Sequence, residues 1–276
     1  MLTMIGLLLI SIPVGFLGAL TGLGGASILI PILVTLGVPV KEAIASGMVT
    51  IIATSSGSAS SYVREGIANV KVAMYLEMFT TIGAIAGATI TTLIAPVYLY
   101  FFFAFFLMTS FLKFRTVAQE ESMPMTTPDR LSQWLELHGS YFDEAKQEEV
   151  EYKVNHALIG GVGMLVAGLA AGMLGIGAGA FKVTVQESVL RLPPKVSSTT
   201  SNFIIGMTAL AGTSIYFASG LLNLTLMGPL AVGTTIGGVI GGRVLNKLGN
   251  QTLRILFFAI ITFLIIQMLF KGVKSI

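Results

Sequence analysis

The chain contains the same apolar element twice, and each copy is broken by glycines. Residues 15–33 (GFLGALTGLGGASILIPIL) align with residues 168–186 (GLAAGMLGIGAGAFKVTVQ) at an offset of 153, which lays Gly22 on Gly175 and Gly24 on Gly177. After one inserted residue the offset is 154: Pro39 meets Pro193, Lys41 meets Lys195, Tyr62 meets Tyr216, Gly66 meets Gly220 and Asn69 meets Asn223. Thr80, Thr81, Ile82, Gly83 and Gly87 then fall on Thr234, Thr235, Ile236, Gly237 and Gly241. Interrupted apolar segments at matching positions of two halves are the sequence mark of a transporter built from repeats, and they point to its binding site.

The solvent follows from composition. Of 276 residues 54% are hydrophobic and 11% charged, with a mean hydropathy of +0.87, whereas a water-facing domain has about a quarter of its residues charged. Apolar runs at 2–36, 43–63, 72–114, 154–190, 196–242 and 253–270 are long enough for one or two helical spans of about 20 residues. None shows the alternating polarity of barrel strands. The first run has no charged leader and no cleavage site, so it is expected to be retained. The chain has no cysteine, which excludes disulfides, thiolate metal sites and thiol catalysis.

Residues 116–152 carry nine acidic side chains against Arg130 and Lys146, while the rest of the chain carries fourteen basic and four acidic. This divides the chain into a first membrane repeat at 1–115, an acidic insert at 116–152 and a second membrane repeat at 153–276. Nucleic acid is excluded as a partner; the lipid bilayer is the expected one, and monomer and homo-oligomer both remain open. In the insert, Leu131, Trp134, Leu135 and Leu137 read as an amphipathic helix and the residues from Asp143 as a charged helix, together a solvated loop.

Orientation comes from the positive charges. Four ordinary spans per half would put seven Lys or Arg on one side and six on the other, which orients nothing. If each glycine-broken segment instead returns to its own side, leaving three single spans per half, ten collect on one side and Lys41, Lys271 and Lys274 on the other. That asymmetry satisfies the positive-inside rule. The expected fold is therefore an all-α polytopic membrane protein with two inverted-topology repeats, each a glycine-broken helical hairpin plus three spanning helices. Both termini are expected outside the cell membrane and the insert in the cytoplasm.

Irregular backbone at membrane depth must be buried in protein or line a wet cavity. Gly22, Gly24 and Gly25 in one copy, and Gly175, Gly177, Ala178 and Gly179 in the other, would each lead into a short helix whose N-terminus attracts anions. Ser27 lies just past the first turn. The following segments add Ser46, Thr50, Thr54, Ser55, Ser56 and Ser58 in one copy and Ser197 to Asn202 with Thr208 in the other, of which Ser46, Thr50, Thr200 and Asn202 are the expected contacts. Any one of these hydroxyls could equally serve close helix packing. Lys182, one turn past the second turn, would balance a bound anion, or else join Gln186 or Glu187 in a structural polar cluster. Glu77 is a candidate for a coupling proton, although its place near a span's end favours the headgroup zone. His138 and His156 offer no metal site, and no cofactor is expected.

The segment GALTGLGGASILIPIL, with the Ser-rich stretch and Tyr62, Gly66 and Asn69 behind it, resembles the sulfite exporter TauE/SafE family, also called the toluene sulfonate uptake permease family. The resemblance covers nearly the whole chain outside the insert. It implies duplicated carriers of small sulfur oxyanions and organosulfur compounds, in either direction. Where that family more often has three consecutive glycines and then a proline, copy one has Gly24, Gly25, Ala26 and Pro31, and copy two has Gly177, Ala178, Gly179 and Thr184. The expected function is thus a secondary transporter of sulfite or a related anion, acting as an exporter by alternating access. An anion channel using the turns as its filter is the alternative. An intramembrane hydrolase with Ser56 or Ser58 as nucleophile would need a base that the spans do not supply, so no enzyme is expected.

Overall fold

The computed structural model describes residues 4–21, 25–64, 68–117, 129–143, 148–245, 262–263 and 265–273. These are mostly helical. The first half comprises α1 (Met4–Thr21), α2 (Ala26–Thr35), α3 (Val40–Arg64), α4 (Val70–Leu93) and α5 (Pro96–Val117). A short α6 (Arg130–Trp134) and two strands follow, β1 (His138–Asp143) and β2 (Glu148–Lys153). The second half comprises α7 (Ala157–Leu174), α8 (Gly179–Ser188), α9 (Pro194–Ala218) and α10 (Leu224–Leu245), with further helical residues at 265–273.

Among the described residues four helices are long and apolar enough to cross a membrane: Val70–Leu93, Ala157–Leu174, Val196–Ala218 and Leu224–Gly241. Their faces are sorted for lipid. On α4 the outer face is Met74, Met78, Ile82 and Ile85, at helical spacing, while the inner face is Ala73, Glu77, Thr80, Gly83, Ala84, Gly87 and Thr91. Large apolar side chains outward and small or hydroxylated ones inward is the arrangement hydrocarbon favours, because lipid offers no hydrophobic drive and close backbone approach must bind the helices. The chain is a membrane protein.

Glycines set that approach, and they do so twice. A Cβ at Gly15 would come 2.3 Å from the Thr234 carbonyl oxygen, and one at Gly168 would come 2.2 Å from that of Thr80. The pairs Gly15/Thr234 and Gly168/Thr80 are each other's copies. From Gly237 against Ile12 to Gly241 against Phe16, and from Gly83 against Leu165 to Gly87 against Leu169, both partners advance together by one turn, at 2.0, 2.7, 2.2 and 2.1 Å. Helix α1 therefore runs alongside and parallel to α10, and α7 likewise to α4, each repeat holding a helix of the other.

Helices α3 and α9, themselves copies, cross antiparallel. Met48 lies at Gly212, while Ser55 lies at Gly206 and its hydroxyl donates to the Asn202 carbonyl at 2.6 Å. At the periphery the exchange recurs: Phe106 of α5 stacks at a tilt on Phe181 of α8, and Gln267 and Lys271 donate to the Pro31 and Val34 carbonyls of α2 at 3.2 and 3.1 Å.

The insert differs from expectation. Residues 148–153 form not a charged helix but a strand, paired antiparallel with β1 in a register that sets Tyr141 opposite Val150 and Gly139 opposite Tyr152. The reason is period two: Glu149, Glu151 and Lys153 alternate with Val150, Tyr152 and Val154, so one face is apolar only if the backbone is extended. That face is covered. Leu137, Tyr141, Tyr152 and Val154 are buried with Val72, Leu76, Leu192 and Val196, so the described insert is docked, not a solvated loop. Asn69 ties it down, donating to the Tyr152 hydroxyl at 2.9 Å through Nδ2 and capping α4 by accepting from the Val72 amide at 3.0 Å. Burial holds the Tyr152 phenol above its ordinary pKa despite that bond.

Candidate functional site

The second glycine turn is fully described. Gly175, Gly177 and Ala178 adopt φ of 64°, 69° and 50°, the left-handed region that glycine enters freely and alanine only with strain. The carbonyls left over at the end of α7 are taken by hydroxyls from other helices: Tyr216 donates to Gly172 at 2.6 Å and Thr91 to Met173 at 2.9 Å. Side chains of Ile44, Ile51 and Ile205 close over the turn, and Gly179 opens α8. Of the first turn, Gly22 and Gly24 lie outside the described residues. Gly25 (φ 69°) leads α2 and packs on Val14, Gly15 and Gly18 of its own repeat.

The α8–α9 hairpin carries a ladder of polar side chains. On α8, Lys182 and Gln186 are one turn apart with Glu187 beside them; on α9, Ser197, Ser201, Ile204 and Thr208 fall at helical spacing on the facing side. The outer rung is Ser197, donating to Glu187 Oε1 at 2.7 Å. The inner rung is Lys182, wholly buried, donating from Nζ to Thr208 Oγ1 at 2.7 Å. Between them the Gln186 amide nitrogen and oxygen and the Ser201 hydroxyl are buried with no partner among the described residues.

Behind the inner rung stands Glu77. Thr208 reaches its Oε2 at 3.1 Å, Thr80 donates to Oε2 at 2.9 Å and Thr81 to Oε1 at 2.7 Å. At 5% exposure Glu77 is enclosed by protein. Counting residues from the start of α4 could not reveal that the docked hairpin and the α8–α9 loop cover that end. Lys182, likewise, takes neither Gln186 nor Glu187 as its partner.

The other expected contacts disperse. Ser27 and Ser46, on α2 and α3, are buried, with no partner for either hydroxyl among the described residues. Thr50 bonds back to Gly47 O at 2.7 Å, Thr200 accepts from the Asn69 amide at 3.2 Å beneath the hairpin, and Asn202 offers its carbonyl to Ser55. Structure therefore unites two residues weighed separately in the sequence, Lys182 and Glu77, and adds Thr208, Gln186 and Ser201. The spacing of Ser197, Ser201 and Thr208 was a readable signal for a polar face, but not for what faces it. In the sequence alignment of the two halves the counterparts of Lys182, Gln186, Ser201 and Glu77 are Leu29, Leu33, Gly47 and Ala231, so neither buried charge is duplicated.

A mostly helical, lipid-sorted body around a buried polar site marks a membrane protein of the transporter class. Residues 7–268 match the family model for sulfite exporter TauE/SafE, and the chain belongs to that family. It is 22% identical over 277 residues to the probable membrane transporter protein YunE of Bacillus subtilis (strain 168), covering 98% of each chain. It is 24% identical over 261 residues to the probable membrane transporter protein YdhB of the same organism, covering 94% of this chain and 95% of that one. No solved structure matches.

Proposed function

We propose that this protein is a secondary carrier of a small sulfur oxyanion, sulfite or a related organosulfur anion, exporting it across the plasma membrane by alternating access between two inverted halves. The observation that carries the reading is the unpartnered middle rung next to Lys182 on the ladder. A buried ammonium and an amide N–H₂ stand on α8 and a hydroxyl on α9, and the last two have no partner among the described residues. Buried polar groups are rarely left so, and three such donors suit the oxygens of a sulfo group. Lys182 supplies charge, Gln186 and Ser201 supply directional bonds, and the N-terminus of α8 adds its dipole. Gly175, Gly177, Ala178 and Gly179 set where that N-terminus ends; Gly22, Gly24, Gly25, Ser27, Ser46, Thr50, Thr200 and Asn202 stand as its counterparts and flanks.

Inversion is supported by the packing of α3 on its own copy α9 in opposite directions, which an axis in the membrane plane generates. The same axis accounts for the reciprocal pairs α1 with α10 and α7 with α4. With ten basic residues to three, the insert at 116–152 lies in the cytoplasm between repeats 1–115 and 153–276, and both termini lie outside.

The test is uptake into vesicles from a panel of sulfite, thiosulfate, sulfoacetate and an alkylsulfonate. Saturable uptake accelerated by unlabelled anion on the far side, and lost in Lys182→Met and Gln186→Leu, is the expected result. Conduction without trans-acceleration would establish a channel instead, and transport surviving both substitutions would remove the ladder from the site.

A further inference from the structure

The carrier reading leaves Glu77 unexplained: a carboxylate buried within hydrogen-bond reach of the hydroxyl that holds Lys182. Its surroundings have two consistent hydrogen-bond states. With Glu77 ionised, Thr80, Thr81 and Thr208 all donate to it. The two hydroxyls on Oε2 each have a second acceptor on their own helix, Thr80 at the Glu77 carbonyl (3.1 Å) and Thr208 at the Ile204 carbonyl (2.8 Å). If both rotate to those carbonyls, their oxygens are free to accept, and a proton on Oε2 finds a partner with no buried donor or acceptor orphaned. A carboxylate serving structure alone needs only the first state.

Charge decides when the second state is used. Glu77 is the counter-ion of Lys182, across Thr208. No other described charge reaches the pair: α7 has no titratable side chain, Tyr216 of α9 is bonded to Gly172, and Tyr75 of α4 to Ala157. Glu187 of α8 is bonded to Ser197, Tyr152 of the hairpin lies at Asn69, Lys41 of α3 donates to the Thr92 carbonyl near the other end of α4, and Lys71 of α4 pairs with Glu136. Lys195 of α9 opens that helix, with its side chain outside the described ones. An anion entering beside Lys182 while Glu77 stays ionised would leave one net negative charge in a dry site, which is strongly disfavoured.

Resting on the carrier reading, we infer that Glu77 takes up one proton from water at Oε2 whenever the anion binds at Lys182, and releases it when the anion leaves, so that anion and proton cross together. Thr208 is the positioning residue that links the two events. No bond other than the O–H forms or breaks, and the loaded site is neutral.

The experiment uses the full chain with an alkylsulfonate, a strong-acid anion that carries no proton of its own. In weakly buffered detergent solution near pH 7, binding is expected to consume about one proton per anion. In vesicles with the potential clamped, a pH gradient alone should accumulate the anion about tenfold per pH unit. Glu77→Gln should reduce the proton-to-anion ratio to zero and abolish pH-driven accumulation; the wild-type ratio decides the matter by itself if that variant does not fold. Anion binding or transport by the wild type with no proton uptake overturns the coupling and leaves the carrier standing, as does a persistent ratio of one in Glu77→Gln. Failure of wild-type vesicles to move any anion of the panel overturns the carrier reading itself.

Discussion

Whether Lys182 and Glu77 act as one unit can be read from stability before any transport assay. Nζ and the carboxylate are joined by a 2.7 Å and a 3.1 Å hydrogen bond through one oxygen, so the charges are at most about 6 Å apart. At an effective dielectric constant of about 20 that separation corresponds to about 3 kcal/mol. Lys182→Met keeps the length of the side chain but leaves Glu77 as a buried charge held only by hydroxyls. Glu77→Gln does the reverse. Each single variant should lose about 3 kcal/mol, in keeping with the cost of leaving a buried charge unpaired. Removing both charges removes the penalty as well, so the double variant should fall well short of the sum, with a coupling of about 3 kcal/mol. In thermal unfolding at pH 7 in detergent, each single variant should melt about 6–12 °C lower, at about 2–4 °C per kcal/mol, and the double variant should melt about as low as either single one rather than twice as far below wild type. Thr208→Val should weaken the coupling without creating a new charge. Additive losses, closing the cycle to within about 0.5 kcal/mol, would refute the claim that the pair interacts through Thr208.

Further outcomes follow from the interfaces, the turn, the insert and the topology. Gly15→Ala and Gly168→Ala each drive a Cβ into a facing carbonyl and should each destabilise by about 1–3 kcal/mol, equal within about 0.5 kcal/mol; a marked inequality in melting temperature would show the two interfaces are not copies. Ala178→Gly relieves a left-handed alanine and should stabilise by about 1 kcal/mol, raising the melting point by about 2–4 °C. Burial tends to raise the Asp129 pKa, but the Ser132 hydroxyl and Ala157 amide bonds lower it further, and the Lys71 hydrogen bond and charge hold Glu136 down. A depressed carboxylate stabilises fully above its unfolded pKa and ceases to as pH falls through the folded one. Protease cleavage within 129–153 should therefore rise only below about pH 4 and stay flat from pH 5 to 8. Because the chain has no cysteine, single cysteines report topology: Ser140→Cys should be protected in intact cells and Ser219→Cys labelled from outside, and labelling of both from one side would reject inversion.

What the sequence disclosed, and what it hid, divides by the range of the physics. Duplication was legible because the demand for glycine at a 2.2 Å approach is local and recurs at the same register, as at Gly15 with Gly168 and Gly83 with Gly237. The turn at 175–179 was legible for the same reason. The enclosure of Glu77 was hidden because exposure in a folded protein depends on what covers a helix end, and a hairpin from the insert packs on Val72 and Leu76 there. The hairpin was in turn missed because its acidic residues suggested a solvated segment. The alternation of Val150, Tyr152 and Val154 carried the contrary signal. The pairing of Lys182 with Thr208 joins residues on separate helices, and no spacing rule reaches between them.

The asymmetry of the core bears on how many ions move per cycle. A two-fold relation between the repeats would create two equivalent polar niches, one at α8–α9 and one at α2–α3. The chain furnishes only the first: where it has Lys182, Gln186 and Glu77, the copy has Leu29, Leu33 and Ala231, and Leu29 and Leu33 are fully buried in the main apolar core. Two buried ammonium groups near one axis would repel at short range in a medium that screens poorly, and the second niche is instead filled with hydrocarbon. Ser27 and Ser46 remain polar there, two hydroxyls with no ammonium beside them to balance an anion's charge in a buried site. The proposed carrier therefore binds one anion at a time, off the pseudosymmetry axis. Direct titration of an alkylsulfonate onto the purified protein should show one site per chain, abolished by Lys182→Met; a second site that survives that substitution would place an anion at Ser27 and Ser46 and overturn this reading of the asymmetry.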